Sequence, residues 1–216
     1  MYDEILNTNL CGTIFKACKL SRNWVYAYTG EFPSQDDLDF DHNRIVNDIK
    51  RVLDLPEMSE NSVMVLNLGL HYLTSTNFSN YVKLLRGVVN VFKAREREGR
   101  KTAKMIWKTT TEVSKHKDTN ELLYSDFKRF LNNPRVAMFN AYATSFMCRE
   151  GFEILDVHPL TASYPDGTGG PKMEYFKEHD IVHYKTNVTR PFEDILAEYL
   201  MGNLPEKLTF ENYLFS

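Results

Sequence analysis

The chain has 216 residues, 43% hydrophobic and 13% aromatic, enough for one substantial core. Its 26 basic residues against 29 acidic ones leave a net charge of -3, which argues against a dedicated nucleic-acid binder. No apolar run approaches the roughly 18 residues that a membrane span needs.

The acidic opening Met1-Tyr2-Asp3-Glu4 is unlike the basic start of a signal peptide, so the chain taken literally is expected to be cytoplasmic. Arg95, Arg97, Arg100, Lys101 and Lys104 form a locally basic run. Glu96 and Glu98 interleave with it, and it reads as a solvated helix terminus. Three cysteines do not make a disulfide framework. Cys11 and Cys18 are spaced to pair across a short loop, and Cys148 reads as an ordinary buried thiol. Asn77-Phe78-Ser79 and Asn187-Val188-Thr189 are acceptor triplets, so Asn77 and Asn187 are glycosylation candidates on a secretory route.

Residues 2–10 read as the tail of a helix, with Gly12 as its stop. Residues 24–28 are rich in strand formers and close at Gly30. After an acidic segment, Ile45, Ile49, Val52 and Leu53 recur at helical spacing up to Pro56. Residues 63–68 are almost continuously apolar, the pattern of a parallel strand buried on both faces. The clearest period runs through Phe78, Tyr81, Val82, Leu85, Val88, Val89 and Phe92, an amphipathic helix ended by Gly99. Residues 103–107 make another short strand. Leu123, Phe127, Phe130 and Leu131 give a helix. A further helix opens with Asn133 as cap and Pro134 at its first position, burying Phe139, Tyr142 and Phe146. Residues 152–157 form the last strand, followed by a Pro/Gly loop over 164–171. The final helix is predicted to open at Pro191 and to bury Phe192, Ile195, Leu196 and Tyr199.

Four strands alternating with helices predict an α/β domain: a parallel sheet with helices on both faces, in three α/β/α layers. Ligands in such sheets bind beyond the carboxyl ends of the strands. Chemistry is therefore to be sought at 30–34, 69–76, 108–117 and from His158 onward.

One pair there carries a recognisable chemistry. Asp180 and His183 are three residues apart on one loop, and a carboxylate that fixes an imidazole makes a general base for a hydroxyl nucleophile. Asp156 and His158, at a strand's carboxyl end, are a second such pair, although capping of the strand-loop junction accounts for them more simply.

Val65-Leu66-Asn67-Leu68-Gly69-Leu70-His71 after a strand, and Asp180-Ile181-Val182-His183-Tyr184 before the last helix, resemble the SGNH hydrolase superfamily. Leu155-Asp156-Val157-His158-Pro159-Leu160-Thr161 and Ser163-Tyr164-Pro165-Asp166-Gly167 are similar to its PC-esterase branch, which includes NXPE-like proteins. The resemblance implies a flavodoxin-like sheet over residues 1–201, with 202–216 as a carboxyl-terminal tail. It also implies a serine esterase or O-acyltransferase with Asp180 and His183 as orienter and base. Gly30 and Gly69 would then stand at the oxyanion, with His71 where the family places an Asn.

The family's Gly-Asp-Ser nucleophile block occurs nowhere in these residues. Met1 opens inside what reads as the helix after it, so a fold lacking its first strand, and inactive as it stands, is expected. With a nucleophile present, the substrate would be an acylated small molecule or glycan, in the secretory pathway if the full-length family member is implied.

Ser21, Ser145 and Ser163 lack the strand-turn-helix setting of an activated serine. No Cys-x-x-Cys or His-Glu-x-x-His spacing points to a metal, and no cofactor is implied. Gly167, Gly169 and Gly170 do not lead from a strand into a helix, as a dinucleotide loop must, and read as a flexible loop. That leaves two rivals: a non-catalytic binding or interaction module on the same fold, and, more weakly, a phosphate or nucleotide binder.

Overall fold

The computed structural model of the protein describes residues 41–56, 58–114, 131–164, 166–169 and 180–202. The expected elements at 2–10 and 24–28, Gly30, Cys11, Cys18 and the helical run at Leu123, Phe127 and Phe130 lie outside the described residues.

The first described helix, α1 (His42–Leu53), begins where Asp41 caps it, its Oδ1 accepting from the Asn43 N–H at 2.9 Å. It buries Ile45, Val46, Ile49 and Leu53. Strand β1 (Val63–Leu66) follows, then the short helix α2 (Leu70–Ser75) and the long helix α3 (Phe78–Arg97). Asn77 caps α3 through its side chain, and Gly99 ends it at φ 64°, a conformation that glycine adopts without steric cost. Strand β2 (Lys104–Lys108), helix α4 (Asn133–Arg149), strand β3 (Glu153–Leu155), the short helix α5 (His158–Ala162) and helix α6 (Thr186–Leu200) complete the described elements.

The three strands form one parallel sheet in the order β1-β2-β3, so the protein is of the α/β class. The register pairs Met64 with Met105, Leu66 with Trp107, and Trp107 with Ile154, which puts these side chains on one face. That face meets the main core, contributed by α1, α3 and α4: Ile45 and Leu53 of the first, Leu84, Leu85 and Val88 of the second, Val136, Phe139 and Met147 of the third. Burying a side chain such as Leu85 completely stabilises by about 1.5–3 kcal/mol. Phe139 stands at the centre of an aromatic cluster, 4.4 Å from Tyr81 and 5.5 Å from Phe78, ring centroid to centroid.

On the opposite face of β2, Lys104 pairs with Glu153 at 2.6 Å and bonds the Tyr199 hydroxyl of α6. Val65 also faces this side, and it is 41% exposed. The strand read as buried on both faces is therefore covered on one among the described residues, with Met64 and Leu66 packed against the main core and Leu68, just past the strand's end, buried in it.

Several boundaries differ from the sequence expectation. Asn132, not Asn133, caps α4, because it takes the extended conformation and its Oδ1 accepts from the Arg135 N–H at 3.0 Å. Asn133 instead accepts from the Val113 N–H at 3.1 Å, tying the loop after β2 to the helix. Helix α6 opens at Thr186, with Pro191 inside it, and Ile195 is exposed while Ala197 is buried. Cys148 is exposed rather than buried, since α4 turns Ala143 and Met147 inward instead. Two short helices, α2 and α5, occupy segments that read as loops.

No helix among the described residues is long and apolar enough to cross a membrane.

Candidate active site

At the carboxyl ends of the strands, the segment after β2 connects the other loops. Thr109 donates its N–H to the Leu155 carbonyl at 3.1 Å, extending the sheet by one bond beyond β3. Its hydroxyl donates to Asp156 Oδ1 at 2.8 Å and accepts from the Val157 N–H at 2.9 Å. The next residue, Thr110, is fastened to α4 by the buried Asn140, and the Glu112 N–H donates to Thr161 Oγ1 at 3.0 Å. Ser114 then donates its N–H to the Ile181 carbonyl at 2.8 Å, so this segment reaches the Asp180–His183 loop directly.

The structure brings Asp180 and His183 together. Asp180 Oδ2 lies 2.7 Å from His183 Nδ1, and Oδ1 accepts from the Val182 and His183 N–H groups at 2.8 and 2.9 Å. One carboxylate thus closes the turn and aims the ring. An ionised carboxylate only accepts, so Nδ1 carries the proton and a neutral ring keeps its lone pair on Nε2. Burial raises the Asp180 pKa, but the His183 ring and the two N–H donors outweigh it and hold the carboxyl below its usual value. The His183 side chain is 40% exposed against 13% for Asp180, an accessible base behind a sheltered orienter.

Backbone pairing supports the same loop. Gly169 donates its N–H to the His183 carbonyl and Lys185 to the Gly167 carbonyl, each at 2.8 Å, around an antiparallel bridge from Thr168 to Tyr184. The glycine segment read as a flexible loop is thus, at Gly167 and Gly169, the pairing partner of the histidine. Tyr184, next in sequence, donates its hydroxyl to the Thr161 carbonyl at 3.0 Å. Burial, with the Glu112 charge added, pushes its phenol up to about 12.

The side chains of Asp156 and His158 do not pair with each other. Asp156 Oδ1 takes the Thr109 hydroxyl and, at 3.3 Å, the His158 N–H, which is the capping role. His158 Nε2 instead faces Glu112 Oε2 at 2.7 Å, off the line of a good hydrogen bond. Glu112 was missed as a candidate, although it falls within the 108–117 segment singled out for chemistry.

Gly69 lies at the same carboxyl end of the parallel sheet, beyond β1, as the residue before α2. A Cβ there would stand 2.6 Å from both Asn67 Oδ1 and Thr110 Oγ1, so glycine is required by close approach. Asn67 donates Nδ2 to the Lys108 carbonyl at 2.8 Å, continuing the β1–β2 pairing through a side chain. His71 is the second residue of α2. Of the two sequon asparagines, Asn77 uses its side-chain oxygen as a helix cap, and Asn187 is exposed in the first turn of α6.

No family model and no curated protein matches this chain.

Proposed function

We propose that this chain carries the base and orienter of an SGNH-type acyl esterase or O-acyltransferase, on a flavodoxin-like three-layer framework. The observation that carries the reading is the Asp180–His183 contact at 2.7 Å, with the second carboxylate oxygen held by two backbone N–H groups. His183 Nε2 takes the proton of an attacking hydroxyl, and Asp180 stabilises the imidazolium that forms. The hydroxyl adds to an ester carbonyl, the alcohol leaves with the proton from His183, and the acyl-enzyme passes its acyl group to water or a sugar hydroxyl. Backbone donors near Gly69 would face the developing oxyanion.

The sequence contains no Gly-Asp-Ser block, and that favours a second reading, a binding module that keeps the geometry without the chemistry. Reading the transcript upstream of the Met1 codon separates the two. In-frame Gly-Asp-Ser codons support the esterase, and their absence supports the binding module. For the 216 residues alone, p-nitrophenyl acetate hydrolysis is expected at background, with no adduct from a fluorophosphonate probe. Robust turnover abolished by His183→Ala would show that a nucleophile is already present in this chain.

A further inference from the structure

Charge is unevenly distributed in this protein. Helices α1 and α3 together carry eight Lys and Arg residues against two acidic ones, in a chain whose net charge is -3. The two helices pack side by side where Gly87 lets α3 approach Val46 of α1; a Cβ at Gly87 would stand 2.7 Å from Val46 Cγ2. This close approach leaves a groove of about 810 Å³ along their outer surface.

On the α3 side, Lys83, Arg86, Asn90 and Arg97 follow one another at helical spacing, and Lys50 and Asn43 of α1 face them across the groove. Two of the groove's other cations are already paired with its two carboxylates: Arg95 meets Asp54 at 2.7 Å, and Arg100 meets Asp54 at 2.8 Å and Glu98 at 3.5 Å. Lys50, Lys83, Arg86 and Arg97 have no carboxylate within ion-pair distance among the described residues. Lys50, Lys83 and Arg86 are exposed, so their charges are open to an anionic ligand.

We propose that this groove binds a linear sulfated polysaccharide, its sulfate groups meeting the unpaired cations and its hydroxyls the amides of Asn43 and Asn90. The row from Lys83 to Arg97 extends on the order of 20 Å at the helical rise, a length that suits a chain of anionic groups rather than a single one. The groove's lining holds no Phe, Tyr or Trp and a single imidazole, His42, so it lacks the succession of stacking platforms that single-stranded nucleic acid uses. Its apolar members are Val46 and Val91, buried in the floor, and the small side chain of Ala94, so it has no large apolar group to insert into a membrane surface. The inference is independent of the esterase reading, because neither helix carries a member of the Asp180–His183 pair.

The test is fluorescence anisotropy with a labelled heparin oligosaccharide in about 0.1 M salt, where surface charge is only partly screened. Lys83→Ala/Arg86→Ala is expected to weaken binding by about tenfold and to lower the slope of log affinity against log salt by roughly two. The double variant should melt as the parent does, since both side chains are exposed. Arg149→Ala/Lys185→Ala, away from the groove, should leave affinity within about twofold. The proposal is overturned if the groove variant binds as the parent does, or if the control variant loses as much. It is equally overturned if desulfated heparin, single-stranded DNA or phosphatidylserine vesicles bind as tightly as heparin.

Discussion

Asn140 holds Thr110 by both ends of its amide: Oδ1 accepts from the Thr110 N–H and Nδ2 donates to the Thr110 carbonyl, each at 2.8 Å. A helix side chain thereby supplies the pairing that a neighbouring strand would give. Asn140→Ala leaves a buried donor and a buried acceptor without partners, at about 1–3 kcal/mol each. The expected result is a lower denaturant midpoint, measured by urea unfolding. Asn140→Asp should be no better, because a carboxylate would face the Thr110 carbonyl.

Asp180 links stability to acid. Its folded-state pKa is depressed, so its contribution is present above the unfolded value and is lost as pH falls through the folded one. Asp180→Asn keeps an acceptor for the turn but cannot accept from Nδ1–H of His183. A loss of about 1–2 kcal/mol is expected at pH 7. In unfolding titrations, the gap between parent and variant should close below about pH 4. A gap of constant size down to pH 2 would contradict this account.

Lys108 works in the opposite direction. It stands at the carboxyl end of β2, and the one contact of its ammonium among the described residues is the Thr109 carbonyl at 3.4 Å. Burial pushes its pKa down to about 8. The unfolded chain therefore binds the extra proton between about pH 8 and the ordinary lysine value, and stability rises with pH across that window. Lys108→Met should be more stable than the parent at pH 7, with the advantage shrinking from pH 8 towards pH 10. Denaturation midpoints at those three values test the sign.

Gly69→Ala forces a methyl group onto Asn67 and Thr110 together. The expected cost is about 1–3 kcal/mol, the usual penalty of overpacking. Because the same two residues carry the links to Lys108 and Asn140, hydrogen exchange should rise around residues 108–112, which distinguishes this effect from a local one in α2.

Much of this architecture is legible in the sequence wherever a period is long or a strand short and apolar. The stripe from Phe78 to Phe92 specifies α3 because seven apolar residues recur on one face. The Asp180–His183 pair is legible because its partners lie within one turn of chain, and spacing alone sets their reach. What escapes is long-range. Glu112 meets His158, Thr109 meets Asp156 and Asn140 meets Thr110 across separations of 30 to 47 residues, and no local pattern encodes those contacts. Cap positions escape for a different reason: Asn132 and Asn133 are chemically equal, and the contact from Val113 decides which of them is left to cap α4.

The uneven charge of α1 and α3 also bears on how the molecule handles in solution. A protein with a slight negative total but a concentrated positive face is not described by its isoelectric point, near 6.1. At neutral pH it should be retained by cation and anion exchangers alike, each resin gripping a different side. Chromatography on paired columns would make that polarity visible before any ligand is found.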